Sequence, residues 1–499
     1  MALPRYFPRA VTAIGQHFSI PRDRLESFLD GTCIDVYLGE DCEKEGNAQW
    51  TSTLLLNILA RLYPWISIRG SAKASKAAIL LVKKINPKVK IKKDGTGSPV
   101  MVAVGVNEEL TPGVLCPSSS GWVARLTQNG EQSLRGANNI YAASFAAGLA
   151  AAEIFRSIFE SHLDDHSPIE QAQVSLLDYS KENGIDLPLP KVDLGDVAFV
   201  GLGAVGNSAL WSISRHEGIG GKLWLVDHES VDVTNLQRYV LALNSDENKV
   251  KSDLAARELE KSGLSYVKCE KRLEDFAEEF SPSFKIPTIC ISVDNFDDRR
   301  VAQALLPRLV VNGYTGTKDL GASWHQFDDR EKPCLACLYF GSPAKSELKL
   351  MEESLGLEST AIVNLLLPGI LLNQNHIKAI EKFRNLPDNS LFFWEGKHIK
   401  DIYTNIVCGS LGVALGDGGQ SETVPLAHQS VLAGILMAVE LVKRTTPELS
   451  KMSQDEELVT WSNILRPPPN KWGYSQPPTR GCICSDVDYR EVFKAKWGA

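Results

Sequence analysis

Apolar and polar positions along this chain follow two periods in turn. Short β-branched or aromatic runs predict strands: CIDVYLGE, VMVAVGV and GWVARLTQ early, then VAFV, KLWLVD and TICISVD. Between them lie segments with helical apolar spacing, among them AQWTSTLLLNILARLYPW, NSALWSISRH and KVKSDLAARELEK. Two long apolar helices are expected, NIYAASFAAGLAAAEIFRSIF and VPLAHQSVLAGILMAVELVKR, each closing one half of the chain. The alternation predicts an α/β fold, and the rhyme between the halves predicts two copies of one unit. An unrelated α/β accessory domain at the start is the alternative.

The halves differ at one place. VAFV runs straight into Gly201-Leu-Gly203-Ala-Val-Gly206 and then a helix, a strand, tight turn and helix N-terminus. Glycines let a ligand approach the backbone, and the helix start offers unpaired N–H groups to an anion. Asp227 ends the next strand, where a carboxylate can hold ribose hydroxyls. To this point NAD, FAD and ATP all fit. The first half has Gly39-Glu-Asp-Cys-Glu-Lys-Glu-Gly46 instead, whose carboxylates repel phosphates.

Downstream residues discriminate. Asn235 and Arg238 share one loop, Lys249 opens the helical segment after it, and Asp294 ends TICISVD. Hydride transfer leaves these cations unexplained. Displacement of pyrophosphate uses them, because charge grows on the triphosphate oxygens. Asp294, at a strand's carboxyl end, is placed to hold Mg2+. Taken singly, each of these charges reads as solvated surface.

Composition adds a metal expectation. The chain of 499 residues has 10 cysteines, and neither a secretory leader nor a membrane-spanning run is read in it, so a cytoplasmic, reduced protein is expected. Cys334-Leu-Ala-Cys337 and Cys482-Ile-Cys484 can each supply two thiolates to one structural Zn2+ if the fold joins them. Four free thiols are the alternative. Cys408 sits in the Gly-rich stretch NIVCGSLGVALGDGGQSE, where a nucleophile gains mobility; a small residue ending a strand is the bland reading. Cys33, Cys42, Cys116, Cys269 and Cys290 read as structural. The net charge of −8 argues against a nucleic-acid partner, and nothing points to a membrane partner.

The ordered set Gly201, Gly203, Gly206, Asp227, Asn235, Arg238, Lys249 and Asp294 resembles the E1-like (ubiquitin-activating, ThiF-type) adenylyltransferase family, over roughly residues 190 to 495. Tyr239 stands where that family usually has Gln. The resemblance implies a Rossmann-like E1 adenylation fold, with an inactive adenylation-like N-terminal half pseudo-dimerised with an active C-terminal half. It implies ATP and Mg2+ as cofactors and zinc on the paired cysteines. It implies Cys408 as the thiol that takes a ubiquitin-like protein from its adenylate and passes it to an E2-like conjugating enzyme. The chain is most similar to the E1-like components of bacterial ubiquitin-like conjugation operons linked to antiphage defence. The expected layout is an inactive domain over 1–165, a connector over 166–192 and the ATP-binding core over 193–340. A helical insertion with the cysteine loop follows over 341–423, then a closing helix and zinc-clamped tail over 424–499. A monomeric pseudo-dimer and a homodimer are both compatible. A sulfur-carrier or peptide adenylyltransferase shares the same core, and a catalytically silent scaffold is the rival from another class.

Overall fold

The structure, a computed structural model, describes residues 11, 14, 18, 20, 22–92, 100–106, 110–131, 133–163, 169–260, 262–280, 283–316, 318–327, 332–339, 347–367, 369–384, 389–400, 402–403, 425–453 and 459–498. It divides into two compact units, Met1–Tyr339 with Pro425–Ala499, and Phe340–Val424.

The larger unit holds a four-stranded parallel sheet and a nine-stranded mixed sheet, and the first four strands of the second follow the order of the first. The first is built from β1 (Cys33–Leu38), α1 (Asn47–Leu62), β2 (Trp65–Gly70), α2 (Ala72–Ile85), β3 (Lys90–Lys92) and β4 (Val100–Val104), with its strands ordered β3-β2-β1-β4. β5 (Cys116–Ser120) and β6 (Val123–Thr127) follow, then the apolar helix α3 (Ile140–Ile158) and β7 (Gln171–Ser175) in a small antiparallel sheet.

The second half is built from β8 (Val192–Val200), α4 (Ala204–Ile213), β9 (Ile219–Val226), α5 (Lys251–Leu259), β10 (Ser265–Cys269), β11 (Thr288–Ile291), α6 (Phe296–Ala304), β12 (Leu309–Thr315) and β13 (Asp319–Gln326). Its order begins β10-β9-β8-β11-β12, all parallel, and continues with antiparallel β13 and the short edge strands Val459–Thr460, Ser462–Asn463 and Gly473–Tyr474. The chain steps one way from β8 to β10 and returns past β8 to β11. That reversal opens a crevice at the carboxyl ends of β8 and β11, where α/β sheets bind ligands. The α/β fold expected from the alternating pattern is present.

A buried helix, α7 (Ala427–Thr445), packs on α4, β12 and β13 of the second half and on α3 of the first. Gly434 makes the approach to α4 close: a Cβ there would lie 2.4 Å from the Val205 carbonyl oxygen. Near the end of α7, Glu440 is fully buried with Lys443 at 2.6 Å and Arg444 at 3.2 Å. Tyr179 donates to the same carboxylate, and Lys443 donates to the carbonyls of Leu176 and Leu177. Burial opposes the charge on Glu440, but Lys443 and Arg444 outweigh it and hold its pKa below the usual value. Such a network is costly to break, because one partner removed leaves a buried charge.

The smaller unit is helical. Glu347–Leu355, Ser359–Leu365 and Gln374–Phe383 surround a core that includes Met351, Leu355, Ile362, Ile377, Ile380 and Ile402. Asn373 caps the third helix by accepting from the backbone N–H groups of Asn375 and His376.

Candidate active site

The glycine turn leaves β8 at the crevice. Gly201 has φ +85, and a Cβ on Gly206 would lie 2.2 Å from the Gly201 carbonyl oxygen, so neither position tolerates a side chain without movement. Gly203 is the N-cap of α4, which directs the free N–H groups of its first turn into the crevice. Ser292, just past β11, donates to the Gly201 carbonyl at 2.8 Å. Asn207 donates to the Leu202 carbonyl at 2.7 Å and accepts from the Leu241 N–H at 3.1 Å. The turn is thereby tied to β11 on one side and to the loop after β9 on the other.

Asp227 follows β9 directly and is buried. Its Oδ2 accepts from the Leu202 N–H at 2.8 Å and its Oδ1 from the Glu229 N–H at 2.9 Å. Each oxygen keeps a second lone pair, the acceptor capacity that ribose hydroxyls need.

The loop bearing Asn235 and Arg238 starts as a 3-10 turn, Val233–Gln237, closed by a capping box of Asp232 and Asn235. Its far side is held by the first half of the chain. Arg61 on α1 is 1% exposed and donates to the Leu236 carbonyl and, at 2.9 Å, to that of Ala242. Asn57, one turn earlier, donates to the Val240 carbonyl at 2.9 Å and accepts from Arg61 Nε at 2.9 Å. Both are polar residues at i, i+4 spacing inside an apolar helix. That spacing is the signal by which the sequence shows them, and neither was among the expected site residues.

The structure separates the two lysines of this region. The Lys249 side chain is 49% exposed and its ammonium pairs with Asp246 at 2.8 Å. Asp246, also gripped by Arg257, is buried; burial raises its pKa, but the bonds from Arg257 and Lys249 win and bring it down to about 2. Lys251 has a side chain only 6% exposed and lies 4.0 Å from Asp227 Oδ2, with a second contact to Glu229. Burial opposes its charge, yet Tyr239, Asp227 and Glu229 outweigh that and hold its pKa above the usual lysine value. The cause of the separation is local. Residues 249–251 bridge back to 229–231 before the helix begins at Lys251, not at Lys249.

Asp294 lies past the end of β11, exposed at the mouth of the crevice. Behind it Arg299 is almost wholly buried and donates to the carbonyls of Val293 and Gly313 and to Asn312. Those bonds hold the backbone beside Asp294.

The two cysteine pairs meet. Cys334, Cys337, Cys482 and Cys484 are buried, and all four Sγ atoms lie within 4.8 Å of one another. Two of the separations are 3.5 Å for Cys334–Cys482 and 3.4 Å for Cys337–Cys484. Tetrahedral zinc with Zn–S of about 2.3 Å sets sulfurs about 3.8 Å apart, so the donor set fits one such ion. The Thr479 N–H donates to Cys337 Sγ at 3.3 Å, as an outer partner of a ligating thiolate does.

Cys408 lies outside the described residues. Cys33, Cys42, Cys116, Cys269 and Cys290 are all buried. Burial pushes the Cys42 thiol up to about 12 and raises those of Cys116, Cys269 and Cys290. Among the described residues no helix is long and apolar enough to cross a membrane.

This is an α/β architecture with a crevice at the point where the strand order reverses. A family model described as the ThiF family matches residues 171–463, and one described as prokaryotic E2 family C matches residues 39–160. The chain belongs to the ThiF family, and its second half is an E1-like, adenylyltransferase-type domain. A relative from Sinorhizobium fredii, named Uncharacterized protein y4jF, is 32% identical over 521 residues, taking in 100% of this chain and 98% of its own. Among solved structures, E. coli MccB with ATP is similar at 13% identity, with a TM-score of 0.35 over 67% of this chain and 75% of that one. PaaA is similar at 16% identity, with a TM-score of 0.24 over 30% of this chain and 50% of that one.

Proposed function

We propose that this protein activates the C-terminal carboxylate of a ubiquitin-like protein with ATP, then carries that protein as a thioester. The observation that supports this most is the convergence of the glycine turn, the α4 N-terminus, Asp227, Lys251 and Asp294 at one crevice. In this reading ATP lies along the turn, with its ribose on Asp227. Asp294 is the residue to hold Mg2+, which supplies charge neutralisation on the phosphates. Arg238 and the lysine at the crevice, Lys251 in preference to Lys249, offset charge growing on the phosphate oxygens. The carrier's carboxylate oxygen bonds to the α-phosphorus, the bond to the bridging oxygen breaks, and pyrophosphate leaves. The Cys408 thiolate then attacks the acyl carbon and AMP leaves.

The E2-described match over residues 39–160 supports a conjugation setting. The two cysteines within it, Cys42 and Cys116, are buried and disfavoured as thiolates. The thioester is therefore assigned to Cys408, and the receiving thiol to a separate E2-like protein. The order that the first half's four strands share with four strands of the second supports reading the first as an adenylation-like partner.

ATP–pyrophosphate exchange with candidate carriers tests the first step. Exchange that survives the joint change Arg238→Ala and Asp294→Ala sinks the site. Cys408→Ala keeps exchange and abolishes a thiol-reducible carrier adduct; an adduct that persists refutes the thioester assignment.

A further inference from the structure

The tyrosine that replaces the family's usual Gln points at the glycine turn. Tyr239 is 3% exposed. Its hydroxyl lies over Gly203, 3.6 Å from where a Cβ on that glycine would stand. Among the described residues no hydrogen bond reaches this hydroxyl, and it is not sealed from solvent. Buried tyrosines find a partner for their O–H, so an unpartnered hydroxyl opening onto a crevice marks a place for a ligand acceptor.

Its neighbours give that acceptor a sign. Lys251 Nζ lies 5.4 Å from the Tyr239 ring centre and Arg238 Cζ lies 5.6 Å from it. The hydroxyl also faces the N-terminal end of α4, whose free N–H groups favour an anion. Two cations, a helix N-terminus and an O–H donor around one opening suit an anionic oxygen, not an adenine ring. The ring itself is held firmly. The Tyr239 N–H donates to the Asn235 carbonyl, and the loop is fastened to α4 through Asn207 and to α1 through Asn57 and Arg61.

We infer that Tyr239 donates a hydrogen bond from its hydroxyl to a phosphate oxygen of the bound nucleotide. This rests on the reading of the crevice as an ATP site. Tyr239→Phe removes one oxygen and keeps the ring that packs the loop. Titration calorimetry of the full chain with ATP and Mg2+, and in parallel with adenosine, separates a phosphate contact from a general loss of shape. The expected result is about tenfold weaker ATP binding in Tyr239→Phe, with adenosine binding unchanged. Equal ATP affinity in the two proteins overturns the inference and leaves the site reading intact. An equal loss for ATP and adenosine also overturns it, since a packing role would produce that. If the unaltered protein binds no ATP, the site reading falls and the inference with it.

Discussion

The two halves of the larger unit share the order of four strands and end their first strand in opposite ways. After β8 the chain makes a glycine turn into the N-terminus of α4. After β1 it makes a 3-10 turn, Glu40–Glu43, with Glu40, Asp41 and Glu43 at the equivalent crevice. A Cβ on Gly39 would fall 1.8 Å from the Gly105 carbonyl oxygen, and Cys42 packs its sulfur on the Val104 carbonyl at 3.3 Å. The first crevice is thus filled by its own chain and lined with acidic residues; the second presents the N–H groups of a helix start. A sheet's topology makes the crevice, and a few residues at its rim decide whether an anion can enter. The halves are also joined mechanically, since Arg61 and Asn57 of the first grip the Arg238 loop of the second.

The sharpest break of this comparison is at the lysines. Lys251→Ala is expected to lower ATP–pyrophosphate exchange by about a thousandfold, and Lys249→Ala by less than about threefold. Neutralising the first half's acids, Asp41→Asn with Glu43→Gln, should leave exchange unchanged. A larger loss from Lys249→Ala than from Lys251→Ala would overturn the geometric assignment.

The cysteine cluster belongs to the second half alone and comes next in size. Metal analysis should find about one zinc per chain, and Cys337→Ser should cost more than about 3 kcal/mol of stability by thermal or denaturant unfolding. A metal-free protein of undiminished stability would remove the zinc reading.

Arg61→Ala tests the grip between the halves. Truncation leaves two buried carbonyls without their donor, a loss of about 3 kcal/mol in stability. Exchange should fall with it, and Arg61→Lys should rescue only part, because an ammonium lacks the planar fork. Exchange and stability both unchanged would show the halves to be independent.

The smallest effect expected is a pH dependence at a second contact between the halves. His216 accepts from Tyr141 at Nδ1 and donates from Nε2 to the Pro190 carbonyl, the tautomer that these partners dictate. Burial lowers its pKa, so the folded protein keeps it neutral. Below about pH 6.5 the unfolded chain takes up a proton there that the folded one refuses. Stability should therefore be complete above that pH and decline as pH falls below it. Unfolding midpoints measured across that range should show a flatter slope in His216→Gln.

Much of this protein is legible along the chain. VAFV and the glycines after it announce the strand, turn and helix, because backbone freedom and period are local properties. KLWLVD ending in Asp227 and TICISVD ending in Asp294 place carboxylates at strand ends by the same logic. The cysteine spacings announce two pairs but not their meeting, which depends on the tail returning to residue 334 from residue 482. The choice between Lys249 and Lys251 was not legible, because both are lysines at the head of one helical pattern. A backbone bridge to residues 229–231 moves the helix start by two residues, and only that sends one ammonium to Asp246 and the other to Asp227. Period, turn chemistry and charge type were determined by the sequence itself, since each acts over a few bonds. Which cation meets which carboxylate, where Tyr239 points and what Arg61 holds were decided by tertiary structure, because those contacts join segments that only packing brings together.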